Sequence, residues 1–180
     1  MAVFSFGTEV PGYGFKVLNE REVRGISGIM FLMGIFAFIH TFILSHYGVL
    51  PIVSGIMLFH FSISVLVNPN FSPITLLAKL FVRKQTPIYI GAVQKRFAWS
   101  LGIALTLTIF IFANLLNSTN DQAYFQPACS LCIICMLLMF LETAFGICVG
   151  CKLYFLAIRL KLIKKPEIMP NCMGDVCEIK

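Results

Sequence analysis

Charged side chains are scarce in this sequence: Lys, Arg, Asp and Glu together make up 12% of its 180 residues. Soluble domains carry roughly twice that fraction, because charges cover their surface. Hydrophobic residues make up 58% of the chain, and the mean hydropathy is +0.88. So little charge with so much apolar material excludes an ordinary water-soluble domain and indicates a lipid environment.

Several catalytic signatures are also missing. The sequence contains no glycine-rich phosphate loop, no serine nucleophile elbow and no H-E-x-x-H motif. The N-terminal segment 1–24 lacks the basic start and short apolar core of a signal peptide, so we expect the first hydrophobic stretch to be retained. The sequence therefore leaves enzymatic activity uncertain and favours its absence.

Four hydrophobic stretches are long enough to cross a bilayer core, which takes about 20 helical residues. They run over 25–45, 49–67, 97–116 and 128–158. Only residues 46–48 separate the first stretch from the second, which predicts a tight antiparallel hairpin, and the third and fourth stretches are expected to form a second hairpin across 117–127. The expected fold is an all-α membrane protein with four transmembrane helices in two hairpins, together forming the domain 25–158.

A further short helix is predicted in the loop between the hairpins. Ser72 followed by Pro73 is typical of a helix start, with an N-cap residue and proline at the first helical position. Apolar residues then recur at helical spacing, which predicts an amphipathic helix over 73–84 lying in the cytoplasmic interface. An ordinary packed connector is the alternative.

Lysine and arginine occur on one side of this predicted topology. They precede the first stretch, lie between the second and third, and follow the fourth, whereas 46–48 and 117–127 contain none. The positive-inside rule therefore places the segment 1–24, the middle loop and the tail 159–180 in the cytoplasm. This topology accounts for the net charge of +6 without nucleic acid. The expected partners are the lipid bilayer and either other membrane subunits or a second copy of the chain.

Sulfur is concentrated in the fourth hydrophobic stretch. At 100° per residue, one helical arc collects several cysteines and methionines and ends at a carboxylate near mid-membrane. Thiols and thioethers are soft ligands that suit Cu(I), although they also pack as ordinary apolar groups. The predicted metal ligands are Cys129, Cys132 and Met136, and no other cofactor is predicted. The whole arc comprises Cys129, Cys132, Cys135, Met136, Met139 and Glu142.

Cys148 and Cys151 form a second C-x-x-C pair near the cytoplasmic end of this stretch. Paired thiols at this spacing can exchange disulfides or carry sulfur, although simple packing is again the alternative. Glu142 precedes the pair, and an ionisable side chain inside a membrane span marks a functional site. We therefore predict Cys148, Cys151 and Glu142 as the chemically active residues.

His60 is the predicted partner of Glu142. Counted along the helices from the outer end, both residues lie about 18 Å deep. A contact between them would serve either as a structural polar clasp or as a proton or ligand site.

Two segments resemble a known family: 94–102 (QKRFAWSLG) and 141–154 (LETAFGICVGCKLY). They are similar to the bacterial membrane family known as domain of unknown function 4395. The resemblance implies a bacterial cytoplasmic membrane protein associated with thiol or sulfur metabolism. Cys129, Cys132 and Cys135 and the tail residues Cys172 and Cys177 lie outside the shared pattern. The residues that the resemblance emphasises are Arg96, Glu142, Gly146, Cys148, Gly150 and Cys151.

Three functions follow from these observations. The leading hypothesis is an inner-membrane protein that handles a thiol-reactive species, either a sulfur compound or redox equivalents, through Cys148 and Cys151. The second is a non-catalytic accessory subunit of a larger membrane complex whose cysteines only pack. The third is a conduit for Cu(I) along the sulfur-rich arc.

Overall fold

The computed structural model describes residues 6–164, and within them helices dominate apart from one pair of short strands. Within this described part of the chain, four helices are long and apolar enough to cross a membrane. The first of them, α1, continues from Phe38 as a π-helical turn over Ile39–Ile43. The helices are α1 (Glu20–Phe38), α2 (Val49–Leu66), α3 (Pro73–Val82), α4 (Ala92–Thr119), α5 (Gln122–Phe145) and α6 (Val149–Arg159).

Short polar residues begin and end the spans. The Asn19 side chain accepts a hydrogen bond from the backbone N–H of Arg21 at 3.1 Å, which caps α1. Asp121 does the same for α5 by accepting from the N–H of Ala123 at 2.9 Å. Between α4 and α5, Asn120 adopts a left-handed conformation with φ of 52°. These caps satisfy backbone donors at helix ends and set where each apolar run turns back.

The two strands join the beginnings of two distant helices. Strand β1 (Val17–Asn19) pairs antiparallel with β2 (Tyr89–Gly91), immediately before α1 and α4. This places the starts of α1 and α4 at the same end of the bundle, called here the sheet end. The sequence does not predict this pairing, because three-residue strands are too short to show an alternating pattern.

The spans pack most extensively across the two halves of the chain. Helix α2 packs mainly on α4 and α1 mainly on α5, whereas the contact between α1 and α2 is smaller. Helix α4 also contacts α5 and α6, so it lies at the centre of the fold. The four long helices are therefore interleaved, and each half of the chain covers the other.

The fourth hydrophobic stretch is two helices, which corrects the prediction of one span over 128–158. Helix α5 ends at Phe145, where Gly146 takes a left-handed conformation with φ of 67° that glycine adopts without steric cost. Helix α6 then begins with Cys148 as its N-cap. Glu142 consequently lies one turn from the sheet end of α5, rather than near mid-membrane.

The outer surface of the spans is apolar. Large hydrophobic side chains such as Leu32, Ile52, Ile111 and Leu137 are exposed along α1, α2, α4 and α5. A soluble domain would bury such residues, whereas lipid solvates them. The structure therefore agrees with a multi-pass membrane protein in a lipid bilayer.

Candidate functional site

The C-x-x-C pair lies at the amino end of α6. The Cys148 Sγ accepts a hydrogen bond from the backbone N–H of Cys151 at 3.3 Å, as an N-cap side chain does. The thiol of Cys151 also donates to the Cys148 Sγ, and the two sulfur atoms are 2.7 Å apart. Both cysteines are free and buried. Two thiols in contact at a helix start are arranged for disulfide exchange.

Gly150 allows α6 to approach α4 closely. A Cβ atom built on Gly150 would lie 2.6 Å from the Cβ of Ala98 and 2.8 Å from its Cα. Contacts this short are not tolerated, so only glycine permits this separation of the two helices. The close approach brings Cys148 against the side chain of Lys95, one helical turn before Ala98.

Lys95 is the centre of the site. Its side chain is fully buried, and the Nζ donates to the Oε1 of Glu142 from α5. The same Nζ lies 3.5 Å from the Cys148 Sγ and 5.8 Å from the centre of the Trp99 ring. A buried cation thus contacts a carboxylate, a thiol and an aromatic face, drawn from α4, α5 and the start of α6.

The surroundings give the two thiols opposite acidities. The hydrogen bond from Cys151, the positive charge of Lys95 and the backbone N–H of Cys151 together lower the pKa of Cys148 from 9.0 to about 7, although burial opposes them. The donated hydrogen bond and burial raise the pKa of Cys151 above its ordinary range. Near neutral pH, a large fraction of Cys148 is therefore thiolate, whereas Cys151 retains its proton.

Arg24 fixes the end of α5 next to the site. Its Nη2 donates to the carbonyl oxygens of Thr143 at 3.0 Å and Ala144 at 3.2 Å. Glu20, one turn earlier on α1, lies 3.8 Å from the Arg24 Nη1. Since the last carbonyl groups of a helix lack partners within it, this side chain stabilises the turn that leads from Glu142 to Cys148.

The structure brings Cys148, Cys151 and Glu142 together around Lys95. It gives Glu142 a partner other than His60, because the carboxylate pairs with Lys95. The His60 Nδ1 lies 2.5 Å from the hydroxyl oxygen of Ser72, the N-cap of α3. Arg96 is exposed, and its guanidinium lies 6.0 Å from the ring of Phe6.

The predicted metal ligands are divided by the fold. Cys132 and Met136 line a small cavity of about 30 Å³ in the bundle, whereas Cys129 is half-buried outside its wall. Within 6–164, no three side chains of His, Cys, Asp and Glu are grouped as a metal site. Cys172 and Cys177 lie outside the described residues.

The sequence does not identify Lys95 as part of the site. In the sequence, Lys95 is one of the cations from which the topology is inferred. The resemblance in segment 94–102 emphasises Arg96 instead. A usable signal exists in the spacing of Lys95, Trp99, Gly102 and Thr106, which places them on one face of α4. Because that face also carries the only tryptophan and a glycine, it is the face that packs inward.

A larger cavity of about 300 Å³ opens from this site into the bundle. Lys95, Glu142 and Cys148 lie on its wall at the sheet end. Deeper in the bundle its wall includes Thr106 and Cys135. The site therefore adjoins a mainly apolar space within the bundle.

Comparisons with known proteins give one match. The model of the family described as "Domain of unknown function (DUF4395)" matches residues 18–159, well over half of the chain. No curated protein and no solved structure matches the sequence. The match confirms the resemblance seen in the two sequence segments, and it includes the whole Lys95, Glu142, Cys148 and Cys151 site.

Proposed function

Because the chain belongs to the DUF4395 family, whose description names no activity, we propose its function from this site: thiol–disulfide exchange at the membrane boundary. Cys148 and Cys151 alternate between a dithiol and a disulfide, and the partner is a thiol or disulfide compound. The observation that carries the proposal is the contact of Lys95 with Cys148 at the start of α6.

The chemistry follows from the unequal thiols. The Cys148 thiolate attacks one sulfur of the partner's disulfide, forming a mixed disulfide and releasing the partner's other half as a thiolate. Cys151 then loses its proton to the medium and attacks the Cys148 sulfur. The intramolecular disulfide forms as the bond from Cys148 to the partner breaks, so the partner leaves with two electrons. A reduced thiol partner reverses these steps.

The charge distribution supports an assignment of sides. Lysine and arginine residues cluster at the sheet end, whereas the opposite turns at 45–48 and 120–121 carry none. By the positive-inside rule, the sheet end and its cysteine pair face the cytoplasm, in the inner membrane of a bacterium. Helix α3 lies there in the membrane interface, which its exposed side chains Leu76, Leu80 and Phe81 support.

Trapping of a mixed disulfide tests the exchange proposal. The chain has seven cysteines, and the experiment uses protein in which those other than Cys148 and Cys151 are alanine. Incubated anaerobically in detergent with oxidised glutathione, the Cys151→Ser variant should retain one glutathione on Cys148, because its resolving thiol is gone. The unsubstituted pair should instead release glutathione and form its own disulfide. Intact mass spectrometry distinguishes these products.

Cys148→Ser is the matched control for this trapping. It retains Cys151, whose burial still raises the pKa of the thiol after the Cys148 sulfur is gone, so it should acquire glutathione more slowly. Equal trapping by the two single variants would mean that Cys148 has no special role. Failure of the intact pair to form a disulfide under these conditions would refute exchange altogether.

A second candidate function, Cu(I) binding, is supported by the smaller cavity. Its wall carries the sulfur atoms of two cysteines and several methionines, and such soft ligands select Cu(I). All of them come from α1, α2 and α5, so one ion in the cavity would be enclosed by three helices. The residues are Met30, Met57, Cys132, Cys135, Met136 and Met139.

Copper binding is expected to depend on the wall of this cavity. Anaerobic titration against bathocuproine disulfonate, in a Cys148→Ser, Cys151→Ser background, should show one Cu(I) per chain. The double substitution Cys132→Ala, Met136→Leu should abolish it, while Met33→Leu, a methionine outside the cavity wall, should leave it unchanged. Equal copper retention by all three proteins would remove this candidate.

A further inference from the structure

The larger cavity extends from the cysteine site toward the middle of the bundle. On α4 its wall runs from Lys95 to Thr106, a length of about 16 Å at 1.5 Å per residue. Its volume of about 300 Å³ is at the lower end of the range for small-molecule sites. The cavity is therefore long and narrow, with its charged groups at one end.

The mouth of this cavity faces lipid. Leu101 of α4, Ile134 of α5 and Leu153 of α6 line it and are also 41%, 49% and 44% exposed. Leu137, one helical turn beyond Ile134 on α5, is exposed as well. A ligand that enters here comes from the membrane interior, so it must itself dissolve in lipid.

We propose that this cavity binds a membrane quinone, which accepts the two electrons of the Cys148–Cys151 dithiol. The inference rests on the proposed exchange function and adds the electron acceptor. A lipid-facing cavity that contacts a dithiol selects a lipophilic two-electron oxidant. A quinone has that chemistry, with a flat ring for the end that carries Lys95 and Cys148 and an apolar tail for the mouth.

Lys95 supplies the polar contact for a quinone oxygen. An ammonium group has three donors, and within 6–164 the acceptors that engage it are Glu142 and Cys148. One N–H is therefore left for a carbonyl oxygen in the cavity. As the ring gains electrons, negative charge develops on that oxygen, and the adjacent cation stabilises it. Trp99, on the same wall, offers an aromatic face to the ring.

The reaction balances without a further reagent. The Cys148 thiolate adds to a ring carbon, forming a C–S bond and placing the electron pair on the quinone oxygen. Cys151 gives up its proton and attacks the Cys148 sulfur, so the S–S bond forms and the C–S bond breaks. The ring leaves with both electrons. The proton of Cys151 and one proton from the medium complete the hydroquinone.

The single tryptophan of the chain makes binding measurable, because Trp99 lies on the cavity wall. Decylubiquinone is titrated into the reduced protein in detergent under anaerobic conditions. Saturable quenching of the Trp99 fluorescence is expected, together with reduction of one quinone per cysteine pair. Leu105→Phe, which fills the cavity, should weaken quenching at least about tenfold, as loss of ~1.4 kcal/mol would. Leu107→Phe, on the exposed face of the same helix, should not.

The glutathione experiment separates the failure of this inference from that of the exchange function. If the pair exchanges with glutathione but shows neither saturable quenching nor quinone reduction, the quinone assignment is overturned and exchange stands. Saturable binding without reduction also overturns the acceptor role. If the pair reacts with neither compound, the proposed exchange and the quinone inference both fall. Equal effects of the two phenylalanine variants would place the quinone outside the cavity.

Discussion

Replacing Lys95 with methionine is expected to slow the alkylation of Cys148 at pH 7 by about fivefold, because a one-unit rise from a pKa of about 7 lowers the thiolate fraction at that pH from about one half to about one eleventh. The substitution removes a positive charge 3.5 Å from the Sγ, so the pKa of Cys148 rises from about 7 toward its usual value. Since the thiolate is the reactive form, its rate constant should follow the thiolate fraction. The measurement is the pH profile of iodoacetamide labelling, resolved by residue.

The sign of the pH dependence is specific. With its pKa lowered to about 7, Cys148 in the unsubstituted protein should label about ten times more slowly for each unit below pH 7 and reach a plateau above it. In the Lys95→Met protein the plateau should begin at higher pH, so the two rates converge in alkali. Profiles that superimpose would show that Lys95 does not act on the thiol.

The stability of the same variants separates a structural role from a chemical one. Lys95→Met alone leaves the Glu142 carboxylate buried without its partner, which typically costs about 3–5 kcal/mol. Lys95→Met combined with Glu142→Leu removes both charges. The unfolding temperature of this double variant in detergent should therefore lie near that of the unsubstituted protein. Labelling of Cys148 should remain slow in the double variant. Recovery of fast labelling together with stability would mean that Lys95 only holds the fold.

Gly150→Ala is expected to disrupt the site by displacing α6, which carries the cysteine pair. The new Cβ would lie 2.6 Å from the Cβ of Ala98, so α6 must move away from α4 and carry Cys148 away from Lys95. Overpacking of this kind costs about 1–3 kcal/mol. We expect a lower unfolding temperature and a higher apparent pKa for Cys148, measured by the same unfolding and labelling experiments.

Two variants control for this effect. At Gly48 an added Cβ would meet its nearest atom, the Oδ1 of Asn117, at 3.5 Å, so Gly48→Ala should change neither measurement. Adding Ala98→Gly to Gly150→Ala removes the contact between the two Cβ atoms. This double variant should recover part of the unfolding temperature and part of the lowered pKa of Cys148. If Gly150→Ala behaves like Gly48→Ala, the close packing of α6 on α4 does not position the cysteine pair.

The spans could be predicted because they depend on composition and length. Hydropathy gives four apolar runs, and the observed helix Val49–Leu66 agrees closely with the predicted 49–67. The end of α5 at Phe145 could not be obtained in this way, because the sequence remains apolar through the break. The break depends on the left-handed backbone of Gly146 and on capping by Cys148, which are local conformations rather than hydropathy.

The site could be predicted only where chemistry is visible in spacing. Cys148 and Cys151 stand out through the C-x-x-C pattern, and Glu142 through its charge in an apolar run. Lys95 does not, because a lysine at the start of a span is usually solvated, and only its spacing from Trp99 and Gly102 on α4 indicates an inward-facing position. Its contact with Glu142 depends on how α4 packs against α5, which the sequence does not reveal. Counting residues along the helices from the outer end favours His60 as the partner of Glu142 instead.

The interleaving of the two halves has a consequence for biosynthesis. Helices α1 and α2 are complete by Leu66, but their principal neighbours are α5 and α4, and α5 ends at Phe145. At ribosomal rates of about 5–20 residues per second, the intervening chain takes several seconds to emerge. During that time the inward faces of the nascent first half meet lipid or a chaperone instead of α4 and α5. Cys148 follows α5 in the chain, so its contact with Lys95 forms only after this interval.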